Sequence, residues 1–220
     1  PPAGWSLARA LGWACDGWAG WHNAYDDPDS GLSRRLLAVQ RRIREALDGF
    51  PPGPIRVISM CAGQGRDLLG VLADHPRTPD VTARLVELDP TLADHARGSA
   101  PPGVEVAVGD ASLAAAYTGL VPADLVLVCG VLGNLSDTDV EHTVANLPRL
   151  CRAGGTVVWT RHVEAPDLTP EIRQWFADNG FREVGFDTEP GRHFGVGAHV
   201  LTGPELPFDP DLKLFTFRLY

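Results

Sequence analysis

Lysine is all but missing from this chain: of the 19 basic residues among 220, only Lys213 is not an arginine. No basic tail closes either end, and the formal net charge is -9. A protein that holds nucleic acid through its phosphates needs a positive face, so no nucleic-acid partner is expected. Nowhere do about 18 apolar residues follow one another, and no basic segment leads into an apolar run at the start, so neither membrane insertion nor export is indicated and the expected location is cytoplasmic. The four cysteines, Cys15, Cys61, Cys129 and Cys151, show neither a C-x-x-C pair nor metal-ligand spacing. That argues against a disulfide framework and gives no reason to expect a metal. Internal repeats and low-complexity segments are also absent. The excess of arginine over lysine, with abundant alanine, glycine and proline, reads as the coding bias of a GC-rich bacterium.

What is present is an alternation of strands and helices. With 44% hydrophobic residues, the chain can bury one substantial core. Leu32, Leu36, Val39, Ile43, Leu47 and Phe50 fall three or four apart, the stripe of an amphipathic helix that Pro51-Pro52-Gly53-Pro54 ends. Apolar runs at 55–60, 81–88, 104–108, 124–129 and 155–160 then alternate with helical segments, which predicts five parallel strands. Ser136 and Asp139 resemble a capping box opening a helix with the buried face Val140, Val144, Leu147 and Cys151, ended by Gly154-Gly155. Another helix starts at Thr169-Pro170, buries Ile172, Trp175 and Phe176, and closes at Asn179-Gly180. Runs near 181–187, 194–202 and 213–219 read as antiparallel strands added to the parallel set, three candidates where a terminal hairpin takes two, and the pattern does not say which of them lies outside the sheet. The fold class is α/β: a doubly wound, mostly parallel sheet with a C-terminal antiparallel hairpin and an N-terminal helical lid. Residues 1–50 are expected to form the cap and 51–220 the ligand-binding domain.

The most informative stretch runs from Val57 to Leu68, an apolar strand leading through Gly63-Gln64-Gly65 into a helix. In a parallel sheet, ligands settle beyond the carboxyl ends of the strands, so Glu87 and Asp110, which end the next two apolar runs, converge on one crevice. An acid about 20 residues beyond a glycine turn is placed to accept from ribose hydroxyls, and Glu87 fits. A dinucleotide fingerprint wants a third glycine where this chain has Leu68. Asp89, just before Pro90, reads as a helix cap.

The run Gly63-Gln64-Gly65-Arg66-Asp67 resembles the first motif of the class I, S-adenosylmethionine-dependent methyltransferases. Val86-Glu87-Leu88-Asp89-Pro90 and Val108-Gly109-Asp110-Ala111 resemble the second and third. The family carries an acid and a glycine where this chain has Ser59 and Cys61. By the resemblance, Gly63 and Gly65 line the methionine part of the cofactor, Glu87 holds the ribose, Leu88 packs on adenine and Asp110 accepts from its amino group. Cys61, Ala62, Ala111, Cys129 and Gly130 border the same pocket. Trp21-His22-Asn23-Ala24-Tyr25 is similar to a segment that folds over the site in many small-molecule methyltransferases, where its tyrosine reaches the cofactor carboxylate. Trp5, Trp13 and Trp18 crowd the same N-terminal region. Arg34, Arg35, Arg41 and Arg42 read as a solvated basic stripe, any one of which is suited to pair with that carboxylate.

These residues imply methyl transfer from S-adenosylmethionine, with S-adenosylhomocysteine as product, to an oxygen, nitrogen or activated carbon of a small, partly apolar metabolite of secondary metabolism. A sulfonium methyl is already activated, so the protein has mainly to align the acceptor and exclude water. The candidate proton acceptors are His162, His22 and His193, with His162 preferred because it follows the fifth strand. Trp21, Leu132 and Asn134 are the candidate substrate contacts. No N-P-P-[FY] run follows the fourth strand, which turns the expectation away from methylation of base or glutamine amino groups. The alternatives are an RNA or protein methyltransferase and a non-catalytic adenosine-ligand-binding protein. The chain is expected to act as a monomer or homodimer, without a metal.

Overall fold

The computed structural model describes Tyr25, Asp27, residues 30–188 and residues 193–217. Within it run the helices α1 (Gly31–Gly49), α2 (Arg66–Leu72), α3 (Pro90–Arg97), α4 (Asp137–Asn146) and α5 (Thr169–Asp178). The strands are β1 (Ile55–Met60), β2 (Val81–Glu87), β3 (Val104–Val108), β4 (Ala123–Val128), β5 (Cys151–Arg161), β6 (Phe181–Thr188) and β7 (Gly195–Leu201). They lie side by side as β3-β2-β1-β4-β5-β7-β6. β1 to β5 are mutually parallel, while β7 runs antiparallel to both β5 and β6. Chain order therefore reverses between β1 and β4, and the carboxyl ends of these two strands bound the crevice.

Burial follows strand position. Central β4 is buried at all six residues, as a strand covered on both faces requires, whereas edge strand β3 exposes Glu105 and Val108. The free edge of β3 is guarded: Arg97 of α3 donates through Nε and Nη2 to the Val106 carbonyl at 3.1 and 2.9 Å. Two core layers flank the sheet. One gathers Val39, Ile43 and Leu47 of α1 with Leu68 and Val71 of α2. The other gathers Val140 and Val144 of α4, Ile172 and Phe176 of α5, and Trp159. Helix α1 is thus a core helix of the sheet, capped by Ser30, whose side chain accepts from Ser33 N. Trp5, Trp13, Trp18, Trp21 and His22 lie outside the described residues.

Three details depart from the sequence expectation. Helix α4 ends at Asn146, Pro148 sits in the short turn that follows, and Cys151 opens β5, so Gly154-Gly155 lies inside a strand instead of ending a helix. A Cβ at Gly155 would stand 2.9 Å from the Asp124 carbonyl and from Cys151 Sγ, where the β4–β5 register shifts. Secondly, of the three C-terminal candidates only β6 and β7 join the sheet. Lys213 instead bridges Leu113, with Leu214 N donating to Ser112 O at 2.7 Å, and Leu214 and Phe215 fill the core below. Thirdly, Arg42 is not a solvated stripe residue. Its Nε and Nη2 grip Asp187 of β6 at 2.6 and 2.9 Å, and its guanidinium lies where a Cβ on Gly185 would be.

One buried titratable group ties β5, β7 and α5 together. His199 is 1% exposed, accepts from Trp159 Nε1 at 3.1 Å through Nδ1 and stacks on Phe176. Burial, aided by Arg173 and opposed by Glu183, holds its pKa down from 6.5 to about 4. Between these values the unfolded chain binds a proton that the folded one refuses, so stability present above pH 6.5 is lost as pH falls toward 4. The expected loss is about 3 kcal/mol. Denaturant melts of wild type and His199→Gln from pH 7 to 4 measure it. The variant keeps an acceptor for Trp159 and should show the shallower slope, and equal slopes would exclude His199 as the source.

Candidate functional site

The chain leaves β1 through a turn that an ordinary residue resists. Cys61 has φ +51°, Gly63 +56° and Gly65 +68°. Cys61 occupies a left-handed position where the family motif carries glycine, so it holds a strained backbone at the mouth of the crevice. Gly65 caps α2, and a Cβ there would stand 2.7 Å from Leu69 Cδ1 and 2.8 Å from Leu85 Cδ2. Both the conformation and the close packing demand glycine.

The loop is fastened to β2 by Glu87, which is 8% exposed. Its carboxylate accepts from Gly63 N at 2.7 Å and from Asp89 N at 2.9 Å, and Ala62 N donates to Val86 O at 3.0 Å. Each carboxylate oxygen keeps a further lone pair, so Glu87 can hold the loop and still accept from a ligand. Leu88 is 71% exposed, standing beside the crevice with no core to enter. Asp89 is the helix cap its place before Pro90 implies, accepting from Thr91 N and Leu92 N. Asp110 is exposed and shapes its turn by accepting from Ser112 N at 2.9 Å through Oδ1. Ala111 is buried, with its carbonyl held by Tyr117 Oη at 2.8 Å.

The opposite wall follows β4. Gly130 N donates to Thr160 Oγ1 and Asn134 Nδ2 donates to Gly130 O, both at 2.8 Å. One N–H of the Asn134 amide is thereby used within its own loop, while its second N–H and Oδ1 keep their capacity. Leu132 is 1% exposed and its side chain packs into the core, so the expected substrate contact does not face the crevice. His162 is half-buried, with Nδ1 enclosed and the ring beside Gly133. Burial and Arg161 hold its pKa below the ordinary histidine value. His193 is 70% exposed and pairs with Glu164 at 2.7 Å.

At the third side stands Tyr25. Arg66 stacks over its ring at 5.0 Å, and its hydroxyl hydrogen-bonds Arg35. Burial raises the pKa of Tyr25, against the pull of Arg35. Asp67 is raised in the same way, opposed first by the Leu68 N–H and then by Arg35. Arg35, Arg66 and Asp67 are the residues that sequence reasoning left without individual roles. Arg35 was one of four arginines on a helix, and only the turn of α1 distinguishes it from Arg41 and Arg42. Burial pushes the Cys61 and Cys129 thiols far up, so both stay protonated and are poor nucleophiles. Among the described residues, no group of three or more His, Cys, Asp or Glu side chains is placed to hold a metal, and no helix is long and apolar enough to cross a membrane.

No family model matches the sequence, and no curated protein matches it. Solved structures share its fold. A possible exported protein from Bordetella parapertussis is 18% identical over 77% of this chain and 68% of its own, with a TM-score of 0.60. A TehB-like SAM-dependent methyltransferase from Corynebacterium glutamicum is 20% identical over 77% of this chain and 94% of its own, at 0.55. Magnesium protoporphyrin IX methyltransferase from Synechocystis, solved with bound SAM, is 16% identical over 89% and 95%, at 0.60. The protein has the Rossmann-like fold of the class I methyltransferases.

Because Glu87 satisfies two backbone donors, Glu87→Ala should cost about 1–3 kcal/mol of folding stability without any ligand, measured by urea denaturation. An unchanged midpoint would show that Gly63 N and Asp89 N find other partners.

Proposed function

We propose that the protein transfers a methyl group from S-adenosylmethionine to a small, partly apolar metabolite. The observation that carries this is the Glu87 carboxylate, which locks the glycine loop to the end of β2 with lone pairs to spare, between exposed Leu88 and the Gly63–Gly65 turn. The residues present suit the adenosyl group. Glu87 would accept from the ribose hydroxyls, Leu88 would cover one face of adenine, and Asp110 would accept from the exocyclic amine. Cys61, Ala62, Ala111, Cys129 and Gly130 would border the nucleoside. Tyr25 and Arg35 would meet the amino-acid carboxylate, where a planar guanidinium suits a planar anion. Bound there, S-adenosylmethionine supplies a methyl on a sulfonium that needs no further activation.

The chain's own task is then to orient the acceptor, exclude water and take up a proton where the acceptor carries one. His162 is our candidate base. It stands at the carboxyl end of β5, and its lowered pKa keeps it unprotonated near neutrality. His22 and Trp21, outside the described residues, remain the lid contributions we propose, and His193 is the weaker alternative because Glu164 engages it. The expected compartment is the reducing cytoplasm of a bacterium, consistent with the free thiols of Cys61, Cys129 and Cys151.

Calorimetry with S-adenosylmethionine and S-adenosylhomocysteine, followed by incubation with a metabolite extract and methyl-labelled donor, tests the proposal. Binding with label transfer is expected, whereas binding without transfer would favour a non-catalytic adenosine-ligand sensor. Asp110 is exposed, so Asp110→Ala should leave the fold intact and weaken S-adenosylhomocysteine binding by about 1–2 kcal/mol. Unaltered affinity would remove Asp110 from the site. Once an acceptor is found, activity should fall on the acid side with a midpoint below 6.5, as His162 takes up its proton, and this limb should vanish in His162→Gln.

A further inference from the structure

The last residues of β5 engage the loop after β4 one after another. Thr160 Oγ1 accepts from Gly130 N at 2.8 Å. Arg161 Nη1 donates to Leu132 O at 2.5 Å, and its Nη2 lies 3.8 Å from Asp137 Oδ1 in the first turn of α4. The His162 ring then stands against Gly133, with its Cδ2 3.5 Å from where a Cβ would project. Asn134 closes the loop on itself by donating to Gly130 O at 2.8 Å.

Arg161 is the unusual member of this series. Its side chain is 7% exposed at the end of a strand, a place where a buried cation is costly unless its donors are used. Here a planar fork spans two groups that a single ammonium cannot reach together, the Leu132 carbonyl and the Asp137 carboxylate. Asp137 is 65% exposed and 3.8 Å away, so of these two contacts the carbonyl is the closer and the carboxylate the looser one.

We propose that Arg161 is a positioning residue: it clamps the loop Gly130–Leu135 onto β5, so that the cofactor-side Gly130 and the acceptor-side His162 are held in one fixed relation. It acts through the loop, by its contact with the Leu132 carbonyl. What the loop serves rests on the methyl-transfer reading above, but the clamp itself does not, and the two can fail separately. The positive charge of Arg161, next in the chain, adds to burial in holding the His162 pKa below the ordinary value.

The test uses the full chain without ligand. Amide hydrogen exchange of residues 130–135 and an NMR titration of the His162 imidazole are compared between wild type, Arg161→Lys and Arg161→Gln. Exchange in the loop is expected to rise about tenfold in Arg161→Gln and less in Arg161→Lys, which keeps a charged donor group without the fork, while the amides of β1 and β2 stay as they were. The His162 midpoint should move up toward the ordinary histidine value. A role confined to general stability would raise exchange throughout the sheet and leave the His162 midpoint in place, and that result would overturn the proposal. If Arg161→Gln does not fold, Arg161→Lys and the exposed Asp137→Asn carry the comparison, and wild-type loop exchange in both would overturn it as well. Absence of S-adenosylhomocysteine binding to wild type would defeat the methyl-transfer reading and leave the clamp result intact.

Discussion

A single buried carboxylate organises the crevice. Glu87 ends β2 at 8% exposure, and its two oxygens accept from Gly63 N and Asp89 N. Backbone donors near a sheet end must be satisfied, and here one side chain satisfies two of them on two different connections. The glycine turn after β1 and the helix start after β2 are thereby fixed relative to each other. Everything else in the pocket is measured from that pair, including the left-handed Cys61, the exposed Leu88 and the capped start of α3.

The far wall is built by another device, since residues 129–136 between β4 and α4 include no acid. Instead β5 lends its own terminal side chains, with Thr160 taking Gly130 N and Arg161 taking Leu132 O. The scarcity of lysine gains a physical side at this point. Arg77 donates to the carbonyls of Leu47, Phe50, Pro51 and Gly53 and so closes the end of α1. Arg84 reaches Ala116 O and Thr118 O, Arg97 guards the edge of β3, and Arg149 holds Pro207 O. Arg77 and Arg97 use two guanidinium nitrogens on backbone carbonyls, a forked contact that one ammonium cannot reproduce. The fold puts the abundant arginine to use.

Much of this was legible in the residues. The parallel strands were written as apolar runs, and Ser136, Asp89 and the Asn179-Gly180 stop marked helix ends as local chemistry dictates. Two departures share one cause. Periodicity carried α4 through to Cys151, and alternation made residues 213–219 a third strand candidate beside the two a hairpin needs, because a buried face looks the same whether a helix, strand or strap presents it. Pro148 was the available signal for the first; nothing local distinguished the second, which depends on Leu113 and Ser112 far along the chain. The roles of Arg35, Arg161 and Asp67 were hidden for a related reason, because a charge acquires its partner only when distant elements meet. Leu132 shows the converse: which side chain of its loop turns inward is decided by packing.

The central claim is that the crevice between β1, β2 and β4 is an adenosyl site organised by Glu87. A crystal structure of the protein with S-adenosylhomocysteine tests it most directly. The account predicts the ribose hydroxyls on the Glu87 carboxylate, with Gly63 N still donating to it, adenine against Leu88 and its amine toward Asp110. Nucleoside density elsewhere on the protein, or ribose hydroxyls out of reach of Glu87, would contradict it.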